Sequence, residues 1–351
     1  MTNSLATVAQ ALVPGGRGIL TIDQPAKTSN QRFAELGIAP TVEHRRAFRE
    51  LLVTAPEIER YVSGAVLAQE TLRQRTGGGQ RFVELLRERG IVPGIAVDAG
   101  TAPLPFAPGE TVTEGLDGLR GRLTEYAALG AGFATWRAPL RIGAGGSPPS
   151  ERAIAANAHA MARFAALCQE SGLLPVVQPE IIAEGSQDLA RCADAGERVL
   201  RRVFAELAEA GVALEAMILE TAMVAPGLAA AQDADTAAIV GATLRVLGAT
   251  VPVAVAGIAF VFGGRDDRVA TERLCALNST MPRRRPWPLT FSYGRSLQYA
   301  ALDAWRGRQD CVAEAQRIVV HRAYCNGLAA CGAYSAKAED RLATQPIPIA
   351  A

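Results

Sequence analysis

The chain has 351 residues, is 49% hydrophobic and 20% charged, and carries a formal net charge of +1. That length allows two ordinary domains or one large α/β barrel, and the apolar content suffices for a sizeable core. A near-neutral balance supplies no field for nucleic acid or an acidic membrane surface, so neither is expected as a partner.

The opening stretch MTNSLATVAQALVPG lacks a basic region followed by an apolar block. No run approaches the roughly 18 apolar residues of a membrane span, and a cytoplasmic protein is expected. The six cysteines (Cys168, Cys192, Cys275, Cys311, Cys325, Cys331) show no metal spacing and read as reduced thiols, several of them on apolar helix faces. Arg283, Arg284 and Arg285 form a short run broken by prolines, which reads as a solvated loop.

Short apolar runs alternate with helical segments. In chain order the strand candidates are Gly18–Asp23, Ala65–Gln69, Gly94–Asp98, Phe133–Leu140, Leu174–Ile181, Leu214–Thr221, Val253–Phe262 and Leu289–Gly294. Ser150 opens a helix with a stripe of Ile154, Met161, Phe164 and Cys168 that closes at Gly172. Ser186 is expected to open the next, through Val199, Val203 and Leu207 to Gly211. Eight strand–helix units without a linker predict a single (β/α)8 TIM barrel over residues 1–332, with a loose tail over 333–351. An open doubly wound sheet is the second choice, but no GxGxxG follows the first strand.

Polar residues gather at the carboxyl ends of these strands: Asp23, Gln69 with Glu70, Asp98, Thr135 with Arg137, Gln178 with Glu180, Glu220, and Ser292 with Arg295. Each alone reads equally well as a solvated strand end. In a barrel, however, those ends form one face, where active sites are built. The stretch LEAMILETAMVAPG (214–227) matters most, because it carries Glu220 at the mouth of a strand that reads as buried on both faces.

Along nearly its whole length the chain resembles a class I fructose-bisphosphate aldolase. The resemblance rests on GRGILTID, LGIAPTVEHRRAFRELLVTAPEI, SGAVLAQETL, GETVTEGLDGL, LPVVQPEI, MVAPG, FGGR and PLTFSYGRSLQ, in order and correctly spaced. It implies a TIM barrel, a homotetramer and a lysine imine that cleaves a ketose bisphosphate. In the segment matching the family's imine lysine this chain has Glu220. Thr135 and Ala96 stand where two further lysines are expected, and Gln178 where an acid/base glutamate is expected. Asp23, Glu180, Arg137 and Ser292–Arg295 are kept. In the family's SGG element Phe262 replaces the serine while Gly263 and Gly264 remain.

Only Lys27 and Lys337 are lysines. An imine needs an amine that can lose its proton, and no carboxylate supplies one. Three carboxylates on one cavity require a held proton or a cation between them. Glu220, Asp23 and Glu180 are therefore the expected acid–base residues or, alternatively, the ligands of a divalent magnesium or manganese ion.

The expected substrate binders are Arg137, Thr135, Gln178, Ser292, Lys27, and an anion site of Gly263, Gly264, Gly294 and Arg295. Lys27 itself reads first as a solvated or phosphate-binding loop lysine. His44, His159 and His321 receive no catalytic role.

The expectation is an aldolase-like enzyme without an imine. It would act on a small phosphorylated or carboxylated polyol with one anionic group, in a specialised pathway, by C–C or C–O lysis, isomerisation or cyclisation. Two alternatives stand beside it: a fructose-bisphosphate aldolase whose amine has moved to Lys27, and a non-catalytic binding or scaffold protein that keeps the barrel.

Overall fold

The apolar runs become strands that close on themselves. The computed structural model describes residues 2–142, 149–230, 234–262, 266–280 and 285–340. Its strands are β1 (Gly18–Ile22), β2 (Val62–Leu67), β3 (Val92–Ala96), β4 (Thr101–Pro103), β5 (Thr111–Thr113), β6 (Phe133–Arg141), β7 (Leu174–Ile182), β8 (Ile218–Ala222), β9 (Ile258–Val261) and β10 (Leu289–Tyr293). All but β4 and β5 form one closed parallel barrel in the order β1-β10-β9-β8-β7-β6-β3-β2. The (β/α)8 barrel expected from the sequence is the fold.

Around it lie α1 (Thr2–Leu12), α2 (Ala26–Glu35), α3 (Val42–Val53), α4 (Gln69–Arg73), α5 (Phe82–Glu88) and α6 (Leu119–Leu129). They are followed by α7 (Glu151–Glu170), α8 (Leu189–Glu209), α9 (Thr236–Thr250), α10 (Asp267–Ser279), α11 (Arg295–Trp305) and α12 (Val312–Ala330). Among the described residues, no helix is long and apolar enough to cross a membrane.

Alternation along each strand divides the residues between two cores. Leu20, Ile22, Ala65, Leu67, Ile95, Trp136, Val177, Leu219, Phe260 and Phe291 point out into the helix layer. Ile19, Val66, Phe133, Leu174, Val176, Ile218 and Ala259 point inward, where Leu5, Ala9 and Leu12 of α1 close the amino-terminal end. The first helix is thus a plug, which the sequence reading did not anticipate. Ser63 ties it down, its hydroxyl lying 2.6 Å from the Leu12 carbonyl and 2.9 Å from that of Gly18.

Several boundaries differ from expectation. Gln69 begins α4 instead of ending β2. Residues Leu214–Ala216 form a 3-10 turn, so β8 starts only at Ile218. Val253 is exposed, and β9 starts five residues later. Ser150 caps α7 as expected, accepting from the Ala153 amide at 3.2 Å. The cap of α8 is Asp188, not Ser186, since its carboxylate reaches the Arg191 amide at 2.8 Å.

Residues 341–351 of the tail lie outside the described residues. Up to Glu339 the tail packs: Ala338 is buried, and Glu339 pairs with Arg322 and accepts from the Tyr334 hydroxyl at 2.7 Å.

Phe133 fills the lower barrel beneath Gly64 and Gly94, and a Cβ on Gly94 would overlap its ring. Gly94→Ala should therefore lower stability by about 1–3 kcal/mol, as overpacking does, visible as a lower urea midpoint with an unchanged slope.

Candidate active site

The inner face changes character along the barrel. Two residues above each apolar inward residue, the same alternation presents polar groups. Above Ile19 come Thr21 and then Asp23; above Ala96, Asp98; above Phe133, Thr135 and Arg137; above Val176, Gln178 and Glu180; above Ile218, Glu220. Ser292 of β10 completes the ring, its hydroxyl 3.1 Å from that of Thr21. The β4–β5 hairpin borders this end, and Thr113 donates to the Arg137 carbonyl at 2.9 Å.

Glu220 is 3% exposed. Its Oε2 is buried with no hydrogen-bond partner. Burial pushes its carboxyl up to about 8 against the pull of a Ser292 hydrogen bond, with Asp23 and Glu180 adding repulsion and Arg137 opposing them. Asp23 rises to about 6, first from burial and then from Asp98, while Arg137 and Arg49 draw it back. Asp98 is raised by burial as well. At neutral pH the site thus holds a protonated Glu220 beside a mostly ionised Asp23. That combination can give a proton to one oxygen of a ligand and take one from another.

Glu180 is paired with the Arg137 guanidinium. Asp98 accepts weakly from the Arg137 amide at 3.5 Å and from the Gly100 amide at 3.2 Å. Thr135 and Gln178 are buried within the same ring. Gly294 precedes α11 and Arg295 opens it, so the amides of the first turn and an exposed guanidinium stand together, as an anion site requires. Gly263 and Gly264 lie outside the described residues. Lys27 is exposed in the first turn of α2.

Among the described residues, the one group of three potential ligands within 4.8 Å of one another is His321 and Cys325 of α12 with Glu339 beyond its end. Asp23, Glu180 and Glu220, the residues expected to hold a cation, are not gathered to that spacing, and Glu180 is paired with the Arg137 guanidinium. In the His321 group, Glu339 is already paired with Arg322 and Arg268.

Residues missed from the sequence are Arg45 and Arg49, buried on α3 and held by Glu70. Their four-residue spacing puts them on one helix face, but nothing in the sequence marks that face as buried.

The fold and this ring define a (β/α)8-barrel enzyme with its chemistry at the carboxyl ends of the strands. The model of the class-I fructose-bisphosphate aldolase family matches residues 4–349. A Xylella fastidiosa protein named probable fructose-bisphosphate aldolase class 1 is 48% identical over 329 residues, covering 93% of this chain and 97% of its own. Cytosolic fructose-bisphosphate aldolase 4 of Arabidopsis thaliana is 43% identical, over 92% of this chain and 82% of its own.

A crystal structure of Plasmodium falciparum fructose-bisphosphate aldolase, in complex with TRAP and an inhibitor, superposes with a TM-score of 0.93. It shares 39% identity and covers 95% of this chain and 96% of its own. The chain belongs to the class-I fructose-bisphosphate aldolase family, and it is a lyase of that family.

These findings overturn the expectation of an imine-free enzyme in a specialised pathway. It was drawn from Glu220, Thr135, Ala96 and Gln178, whereas relatives named as fructose-bisphosphate aldolases match over more than nine-tenths of the chain. The scaffold alternative falls with it.

The buried acid has a consequence for stability. Between its ordinary value and about 8, native Glu220 keeps a proton that the unfolded chain releases, so stability declines as pH rises through that window. Glu220→Gln cannot ionise. It should be more stable than the parent by on the order of a few kcal/mol at about pH 8, the gap closing by about pH 4, as measured by urea melts across pH.

Proposed function

We propose that the protein is a fructose-bisphosphate aldolase, breaking and in reverse forming the C3–C4 bond of a phosphorylated ketose. The reading is carried by the pairing, at one barrel end, of a neutral buried acid with a carboxylate that ionises near pH 6. The relatives' names supply the reaction for which such a pair is suited.

Glu220 cannot form an imine, so the amine is assigned to Lys27, four residues past Asp23 at the active end of the barrel. Its exposed side chain must turn inward over the rim to reach the substrate. The neutral amine adds to the C2 carbonyl, and Glu220 protonates the departing hydroxyl, which leaves as water. Asp23 or Glu180 takes the proton of the C4 hydroxyl. The C3–C4 electrons then move towards the imine nitrogen, giving an aldehyde and an enamine. Protonation at C3 and hydrolysis release the second product and restore Lys27.

Arg295, the first turn of α11 and Gly263 with Gly264 are assigned to a phosphate, and Arg137, Thr135, Gln178 and Ser292 to the hydroxyls. No metal enters this reading. A cytosolic homotetramer follows from the family resemblance, with light scattering as its check.

Borohydride reduction in the presence of dihydroxyacetone phosphate should fix one adduct, which peptide mass mapping finds on Lys27. Lys27→Ala should lose both the adduct and at least about a hundredfold in cleavage rate. An adduct elsewhere overturns the assignment of the amine. Absence of both adduct and cleavage overturns the aldolase reading.

A further inference from the structure

Behind the strand end that carries Asp23 lies a buried ion cluster with no part in the steps above. Arg45 and Arg49 stand one turn apart on α3, only 6% and 4% exposed. Two like charges at that spacing repel, and burial deepens the penalty unless a carboxylate intervenes. Glu70, at the start of α4, does so. It accepts from Arg45 Nε at 3.0 Å and Nη2 at 2.7 Å, and from Arg49 Nη1 at 2.7 Å. These hydrogen bonds hold its carboxyl down to about 2.

Two further donors of the cluster reach the segment that follows β1, one at its connection to α2 and one on α2 itself. Arg45 Nη1 donates to Asn30 Oδ1 at 2.7 Å, and Arg49 Nη2 to the Gln24 carbonyl at 3.1 Å. Gln24 directly follows Asp23, and the gripped segment includes Lys27. A cluster serving only to join α3 to α4 would not need the Gln24 carbonyl. With two guanidiniums and one carboxylate, it also keeps one net positive charge out of water, close behind a carboxylate.

We propose that Arg49, braced by Glu70 and Arg45, is a positioning residue for Asp23. It fixes the backbone one residue past the carboxylate and supplies the positive field that favours its ionised form. The charged groups facing Asp23 are Asp98 beyond β3, Arg137 of β6, Glu220 of β8 and Arg49 of α3. Arg137 is half exposed and paired with Glu180, so its field is partly cancelled. The field of Arg49 acts through buried surroundings. The inference rests on the aldolase reading for the proton-transfer role of Asp23, but not for the field itself.

The test is the titration of the Asp23 carboxyl by carbon-13 NMR in aspartate-labelled protein, assigned with Asp23→Asn. Arg49→Gln removes the cation and should raise the midpoint above about 6 by roughly half a unit or more. Glu70→Gln strips the cluster of its only anion and should lower it. Arg49→Lys keeps the charge and should leave it near the native value while slowing turnover, because the Gln24 grip is weakened.

A cluster that merely holds helices together would lower the melting temperature without moving the two midpoints in opposite directions. Midpoints that stay put, or move together, overturn the proposal. If Glu70→Gln does not fold by circular dichroism, Arg49→Gln against Arg49→Lys decides: only the first must shift. The titration needs no turnover, so failure of the aldolase reading leaves it intact. Where cleavage is measured, the acid limb of kcat/KM should move with the NMR midpoint.

Discussion

A carboxyl group shut away from water at the top of β8 constrains everything around it. Glu220 has one oxygen with a serine partner and one with none. A buried carboxylate without a cation is penalised so heavily that the proton stays on instead. Once that proton is fixed, the other groups fall into place. Asp23 ionises more readily than Glu220: a backbone hydrogen bond, Arg137 and Arg49 all lower it, whereas Glu220 is raised further by Asp23 and Glu180, and Glu180 itself pairs with Arg137. Unequal burial, hydrogen bonding and neighbouring charge thus separate the two carboxyl groups into a donor and an acceptor.

The barrel makes this separation possible by keeping its two ends chemically distinct. Below, α1 and the ring of Phe133 fill the interior with apolar side chains, and Thr290, two residues beneath Ser292, donates to the Arg17 carbonyl at 2.6 Å. Above, each strand contributes the next inward residues of the same alternation, so the polar ring needs no irregular backbone within β6, β7 or β8 to aim its side chains. Stability and chemistry occupy successive layers of one surface. A substitution such as Glu220 for an amine can therefore be carried without disturbing the packing beneath it.

That layering also explains what could be read from the sequence. Short apolar runs with helical segments between them marked the eight barrel strands, because burial on both faces leaves a continuous apolar composition. The inward polar set, Asp23 through Ser292, was legible for the same reason. The plug α1 was not, since an amphipathic first helix looks alike whether it caps a barrel or lies on a surface. Arg45 and Arg49 were hidden because α3 alone reads as a solvated helix face, and Glu70 was read as a strand end rather than as their partner on α4.

The functional inference failed for a related reason. It weighed four changed positions by local chemistry, whereas family membership is carried by several hundred residues of packing.

The protonated acid and an incoming amine bear on one another. Glu220 holds its proton only while the space beside its free oxygen lacks a cation. An ammonium arriving there would favour the carboxylate, and the two groups would titrate as a pair rather than singly. Proton transfer within such a pair yields, in one of its forms, a neutral amine beside a neutral acid. Those are the two species that imine formation needs, one to attack and one to release water. Burial is what keeps that neutral form competitive, because in a site closed to solvent a charged pair gains less over a neutral one than it does in water. The feature that argues most strongly against an imine when Glu220 is considered alone becomes compatible with one when an amine is brought beside it.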